Sequence, residues 1–382
     1  MSAQFALTIL GYPIVGVLSS LLGSESSVAA IALRGLMVAV SLLMVALSLR
    51  RSSVAGGIST SFVALFFVYS LRLLIDYYSG DYPTVGWDAT QYYGFCMVPL
   101  FGLVALSGSR DADRDMTVMF LAGFFVCALF AVVTIAGVNA VSTEEFQGRV
   151  SVARLNPISV GHMAVSTIIA ALAVVMHERP SRFARPLAIV ASCAALYCLV
   201  ITESRGPLLS LGGAALVFLA IKRQWKALIV FAVVGFAIAM WSNETGGGVL
   251  DRLQGIGTDQ SSLERLDVQA LAIAQFVKSP IFGGAHVEIV TGAYPHNILL
   301  DAAMSTGLIG LLLLLWIFVR LVIGCRNLLR RGEILLPLLA TQYAIGAQFS
   351  GSMFGSPEFW TCTALVLAVT SRNRRAKQRS VR

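Results

Sequence analysis

Eight cations in this chain stand apart from the rest. Arg34, Arg72, Arg149, Arg154, Arg205, Arg252, Arg265 and Lys278 lie inside apolar blocks or in breaks whose other residues are acidic and polar. An ionised side chain costs at least about 2.5 kcal/mol at the centre of a membrane helix and less near the interface, so Arg34 and Arg72 require a partner or a function. The guanidinium presents its donors as a planar fork that meets phosphate oxygens two at a time. Several such groups on one face imply an anionic ligand, a diphosphate above all. The competing reading is that each cation snorkels or pairs with a neighbour such as Asp76 or Glu203. Two histidines add proton chemistry: His296 in AYPHNILLDAAMSTGLIG and His162 in NPISVGHMA. With an ordinary pKa near 6.5, an imidazole takes or gives a proton at neutral pH, although a lone histidine also serves as a structural hydrogen-bonding residue. Glu203, beside Arg205, is a second candidate base. Asp301 follows His296 by five positions and does not share its helical face. No Ser-His-Asp arrangement, phosphate-cradling glycine loop or metal-ligand cluster is readable, so neither a metal nor a cofactor is expected.

The elements that must position these groups are membrane helices. Of 382 residues, 57% are hydrophobic and 13% charged, against roughly 45–50% and about 25% in soluble domains. The apolar residues form blocks of about 17–25, the length that crosses a hydrocarbon core of roughly 30 Å. They lack the alternation of a membrane barrel. Twelve spans are expected, near 4–23, 28–48, 54–76, 91–108, 115–138, 158–177, 186–202, 206–221, 227–241, 297–320, 333–351 and 356–371. With both termini cytoplasmic, every inside break carries Lys or Arg, from Arg50 and Arg51 to the tail from Arg372 to Arg382, as the positive-inside rule requires. The net charge of +8 therefore reflects orientation and anionic-lipid contact rather than a nucleic-acid groove. The first residues, MSAQFALTIL, read as part of a retained span, since they lack a basic n-region and a cleavage signal. Six scattered cysteines read as small core residues.

The chain reads as a single integral membrane domain over 1–382, without internal repeats. One long periplasmic loop, about 242–296, joins spans nine and ten. Within it Ser261 and Glu264 form a capping box, and Leu263, Leu266, Ala270, Leu271, Ile273 and Phe276 recur near helical spacing until Pro280. An amphipathic helix over the membrane surface is expected there.

Four stretches carry a resemblance. PHNILLDAAMSTGLIGLLLLL (295 to 315) resembles the His-Asn, Leu, Gly-x-x-Gly signature that ends the periplasmic loop of the O-antigen ligase and O-antigen polymerase superfamily. TESRGPLLSL (202 to 211) looks like its Ser-Arg-Gly motif, and RVSVARLNPISVGHMA (149 to 164) is similar to its Arg, Asn-Pro and Gly segment. ERLDVQALAIAQFVKSPIFGGA (264 to 285) resembles its loop helix running into a Pro-x-x-Gly turn. The resemblance implies a bacterial inner-membrane glycosyltransferase related to the GT-C class. It would act at the periplasmic face without a nucleotide sugar or metal, on a glycan carried by undecaprenyl diphosphate. The acceptor would be a sugar of lipid A-core in a ligase, or the end of another lipid-linked repeat unit in a polymerase of O-antigen, capsule or exopolysaccharide; both share the quoted motifs. By motif, Arg205 and Arg265 would hold the diphosphate and His296 would assist the acceptor hydroxyl, with Arg149, Arg154, Arg34 and Arg72 as further donor-binding candidates inferred from placement. A transporter is the rival from another class. Broken helices, matched halves and charges near the midplane would favour it, but the halves show no repeat and the cations gather towards one face.

Overall fold

The computed structural model describes residues 1–21, 27–50, 60–137, 140–142, 150–152, 155–177, 182–226, 229, 233, 240 and 260–380. Helices cover eleven of the twelve expected spans; the ninth, 227–241, falls almost wholly outside the described residues, as does 242–259 of the long loop. In chain order they are α1 (Ser2–Leu21), α2 (Ser27–Arg50), α3 (Thr60–Ser79), α4 (Val85–Thr90), α5 (Val98–Ala105), α6 (Ala112–Ile135), α7 (Pro157–Val175), α8 (Ala184–Ile201), α9 (Arg205–Lys222), α10 (Gln260–Lys278), α11 (Ile298–Arg330), α12 (Leu335–Ser350) and α13 (Pro357–Ser380). Among the described residues α3, α6, α7, α8, α9 and α11 are long and apolar enough to cross a membrane. The protein is a polytopic helical membrane protein.

Local chemistry sets the ends. Asp111 caps α6 by accepting from the amides of Asp113 and Arg114, each at 3.1 Å, satisfying donors that the first turn leaves orphaned. Asn156 does the same for α7 through the Ile158 amide at 2.9 Å, with Pro157 at the first helical position. The fourth expected span differs from a plain helix. α4 widens into a π-helical turn over Gln91–Met97 before α5 begins. Pro99 lacks an N–H and its ring crowds the carbonyl four residues back, so the regular ladder cannot run through this point. A short ribbon also appears that the sequence reading did not contain: β1 (Ala140–Ser142) pairs antiparallel with β2 (Val150–Val152), Val141 opposite Ser151. The Val-Ser-Val stretch has the alternation and β-branching that suit an extended pair.

The chain divides into two compact units. The first comprises Met1–Val40, Ser109–Gln254 and Leu329–Gln342. Its centre is α7, which packs against α1, α6, α8 and α9 and buries Gly161, Ala164, Ala170, Ala171 and Ala173; small side chains let neighbouring backbones approach closely in lipid, where packing rather than water expulsion drives association. The side chain of Arg110, in the break before α6, is buried here between Asp115 (2.7 Å) and Glu333 (2.5 Å), a pairing that removes the cost of an isolated buried charge.

The second unit comprises Ser41–Gly108, Gly255–Leu328 and Tyr343–Arg382. α5 packs on α13, and Trp360 stands edge-on to Phe62 and Phe359 at ring separations of 5.5 and 4.9 Å, its indole N–H donating to the Met353 carbonyl at 2.9 Å.

Candidate functional site

The second unit carries the signature loop, held between α10 and α11. α11 is not one continuous helix: at Gly307 the backbone turns to φ 66, ψ −160. A residue with a Cβ disfavours that conformation. The break is filled by the Pro-x-x-Gly turn. Pro280 accepts from the Leu308 amide at 2.8 Å and Gly284 donates to the Met304 carbonyl at 2.9 Å, so backbone groups that the interrupted ladder would orphan find partners. A Cβ on Gly307 would collide with the backbone of Ile281 and Phe282, and one on Gly283, itself at φ 74, with that of Ser305 and Thr306. Two motifs quoted separately from the sequence are thus two halves of one joint.

Beyond the turn the chain is fixed by side chains. Gln275 donates to the carbonyls of Ala285 and Val287 and accepts from the Ile289 amide. Glu288 closes the following turn by accepting from the Val290 and Thr291 amides at 2.9 and 2.7 Å, bonds that hold its carboxyl below the usual range against the opposing effect of burial. Gln269 donates to the Pro295 carbonyl. Asn297 caps α11 through the Leu299 and Leu300 amides and donates to the Gln348 carbonyl at 3.2 Å.

His296 sits directly before that cap, in the left-handed region at φ 55, an uncommon setting for a residue with a side chain. Its ring lies 4.4 Å from that of Tyr294. Burial, with the nearby positive charge of Arg265, lowers its pKa to about 4, so the imidazole is neutral at pH 7 and able to accept a proton. Arg265 projects from α10, and one guanidinium nitrogen donates to the Phe349 carbonyl at 3.3 Å. The structure therefore brings together two of the three residues singled out by motif. Asp301 is turned to the Met353 amide, which it accepts at 2.7 Å, and is fully buried.

A second cluster in this unit was not anticipated. His286, fully buried, bonds Asp76 of α3 through Nδ1 at 2.9 Å and through its own amide at 2.7 Å, and Asp88 of α4 through Nε2 at 3.2 Å. Asp76 also accepts from Arg72 at 2.5 Å, the neighbour pairing weighed for this arginine. Burial opposes the imidazolium, but the bonds and charges of Asp76 and Asp88 outweigh it and hold the pKa up at about 9. The charge on His286 thus stabilises the fold fully below about pH 6.5, its unfolded value, and that stabilisation, about 3 kcal/mol at most, is lost as pH rises through about 9. Thermal unfolding in nanodiscs between pH 7 and 10 should show a fall in wild type that His286→Gln lacks; equal slopes would exclude this account.

The first unit holds Arg205. It is the first residue of α9, half-buried, after a tight 202–204 connection in which Glu203 takes φ 46 and the Ser204 hydroxyl donates to the Thr202 carbonyl at 3.1 Å. A Cβ on Gly161 would stand 2.7 Å from the Pro207 ring, so the Asn-Pro and Ser-Arg-Gly motifs are in contact here and only glycine fits. His162 lies one residue on, its carbonyl accepting from Gln342 at 2.9 Å. Arg149, Arg154 and Arg252 lie outside the described residues, and so does the side chain of Arg34.

Fold and site define a polytopic membrane protein in which the segment from α10 to the start of α11 sets a neutral histidine beside an arginine. Residues 187–315, about a third of the chain, match the model of a protein family described as O-antigen ligase. The match runs from α8 into α11 and includes Arg205, Arg265 and His296. The resemblance read from the motifs is borne out over this segment, and members of the family are glycosyltransferase-like enzymes. No curated protein matches the chain.

Proposed function

We propose that the protein transfers a glycan from undecaprenyl diphosphate to an acceptor sugar at the periplasmic face of the bacterial inner membrane, most simply as a ligase that places O-antigen on lipid A-core. The reading takes the chain as twelve-spanning and GT-C-related, with both termini cytoplasmic. The observation that carries it is the neutral His296 beside Arg265, within a segment of O-antigen ligase type. Transfer from a glycosyl diphosphate develops negative charge on the leaving phosphate, which preorganised cations stabilise in a water-poor site. Arg265 and Arg205 serve that charge in this reading, with Arg149, Arg154 and Arg34 as further donor contacts; Arg72 enters through its pair with Asp76. His296 takes the proton of the attacking hydroxyl, with Glu203 as the second candidate. Displacement is single and inverting, and needs no metal.

The first unit also suits a lipid carrier. An apolar cavity of about 500 Å³ between α7, α8 and α9 is lined by Leu211, Ala214 and Phe218, which follow Arg205 along the same helix. A polymerase acting on lipid-linked repeat units is the second reading, favoured by the same motifs. The break in α11 weighs against transport: the Leu308 amide and the Met304 carbonyl beside it are taken by the 280–284 turn rather than left open to a passing ligand.

The test is transfer by purified protein in nanodiscs supplied with undecaprenyl-diphosphate-linked oligosaccharide, with or without lipid A-core. Product on the core establishes the ligase, a ladder of longer lipid-linked glycans the polymerase, and no product in either overturns the proposal. His296→Ala should lower kcat about a hundredfold or more with little change in donor affinity. In the free enzyme, kcat/KM should fall only as pH drops through about 4, the pKa of His296. A bound diphosphate neutralises Arg265, so the acid limb of kcat should lie higher.

A further inference from the structure

The amphipathic helix α10 is turned opposite to a helix that seals a water-soluble core. Its inward face is Arg265, Gln269, Ala272 and Gln275, the last two buried and the glutamines bonding loop carbonyls. Its apolar stripe points away from the protein: Leu263, Leu266, Ile273 and Val277 are 46%, 50%, 51% and 68% exposed, with Ala270 exposed between them. The stripe continues past the helix into Ile281 and Phe282, exposed by 55% and 71%. A contiguous apolar surface of this kind on a folded protein marks a contact.

The neighbouring element says with what. Pro280 is bonded to the amide of Leu308, and at Leu308 the character of α11 changes: residues 301–307 are buried, whereas Leu308, Leu312 and Trp316 are exposed. This part of the tenth expected span, Leu308 to Val319, is apolar apart from Gly310 and carries no charge before Arg320, as a face that meets acyl chains must. The lipid boundary therefore falls near the Gly307 break, at the level where Ile281 and Phe282 emerge. Lys278 is exposed at the end of α10, where its ammonium can reach lipid phosphates.

We propose that α10 and the 280–284 turn are held in the lipid–water boundary, with the stripe from Leu263 to Val277, Ile281 and Phe282 in contact with acyl chains. The occupant of this face is the lipid of the leaflet that α11 enters. Because Arg265 lies on the opposite side of the same helix, the insertion sets it at headgroup depth, where a phosphate borne by a membrane lipid also lies. This last consequence rests on the proposed lipid-linked donor, while the lipid contact does not.

The test places single cysteines by Leu266→Cys, Ile273→Cys, Val277→Cys and, as a control on the exposed loop, Thr291→Cys. The background is Cys193→Ser, which removes the exposed native cysteine. Each carries a small environment-sensitive fluorophore in nanodiscs, without substrate, and is quenched by phospholipid bearing a nitroxide high on its acyl chain or by aqueous iodide. The three stripe positions should lose fluorescence mainly to the lipid nitroxide and Thr291→Cys mainly to iodide. Stripe positions quenched by iodide as strongly as the control would overturn the proposal. So would positions reached by neither quencher, which would mean that a second copy or another protein covers the face. Since no substrate is present, an inactive protein with lipid-quenched labels would count against the transfer reading alone.

Discussion

Arg265→Ala should reduce glycan transfer by about a hundred- to thousand-fold in kcat, the loss typical of removing one preorganised group from developing anionic charge, while the protein remains folded in the membrane. The hydrogen bond it gives the Phe349 carbonyl is exposed, so losing that bond leaves the carbonyl open to water rather than buried without a donor. Arg205→Ala should behave alike. Each Arg→Lys exchange should recover only part of the rate, because an ammonium meets one oxygen where the fork meets two. The same deletion makes a second readout. Without the Arg265 charge one cause of the lowered His296 pKa disappears, so residual kcat/KM should show its acid limb at higher pH in Arg265→Ala than in wild type. An unchanged limb would detach Arg265 from His296, and full activity would remove it from the site.

Gly307→Ala should destabilise the second unit by on the order of 3 kcal/mol, combining a strained left-handed residue with a methyl driven into backbone. Gly283→Ala should match it, since the two glycines oppose each other across one joint. Because each change breaks the same fit, the double variant should cost less than the sum of the singles. Guanidine or thermal titration in detergent reads this directly. Strict additivity would show that the turn and the helix break are independent. Gly80 is the control: it also has positive φ, at 73, but a Cβ there meets nothing within 4 Å, so Gly80→Ala incurs backbone strain alone.

The polytopic helical class was legible because a hydrocarbon core demands length and apolarity together, and both are local properties of sequence. The exception in the fourth span arose from Pro99, whose effect on the preceding turn depends on how neighbours accept the freed carbonyl. Arg72 carried its partner four residues away, within reach on one helical face, so the pair with Asp76 could be weighed from spacing alone. His286 could not: its partners lie 210 and 198 residues distant, and nothing in GGAHVEIV marks a histidine that three-dimensional packing sets between two carboxylates. The one available signal was the three aspartates in DYYSGDYPTVGWDAT, Asp76, Asp81 and Asp88, without enough nearby cations to balance them. For α10 the period was readable and led to the expectation of a helix over the membrane surface; that Arg265, Gln269, Ala272 and Gln275 form the face turned to the loop was not readable. An amphipathic pattern fixes which residues share a face, while the solvent that face meets is a property of what surrounds it.

The last turn of α12 has carbonyls that no amide of its own helix can reach. Two consecutive ones are used: Gln348 accepts from Asn297, next to His296, and Phe349 accepts from Arg265. The proposed base and its cation are thus referred to one ruler, two adjacent marks on a helix end, although they come from separate segments of the loop. Changes in loop length or sequence between them, the kind that would alter which acceptor sugar fits, leave their separation untouched. A shift of α12 moves both together, so the proton acceptor and phosphate partner of the proposed reaction stay in register while the rest of the loop is free to vary.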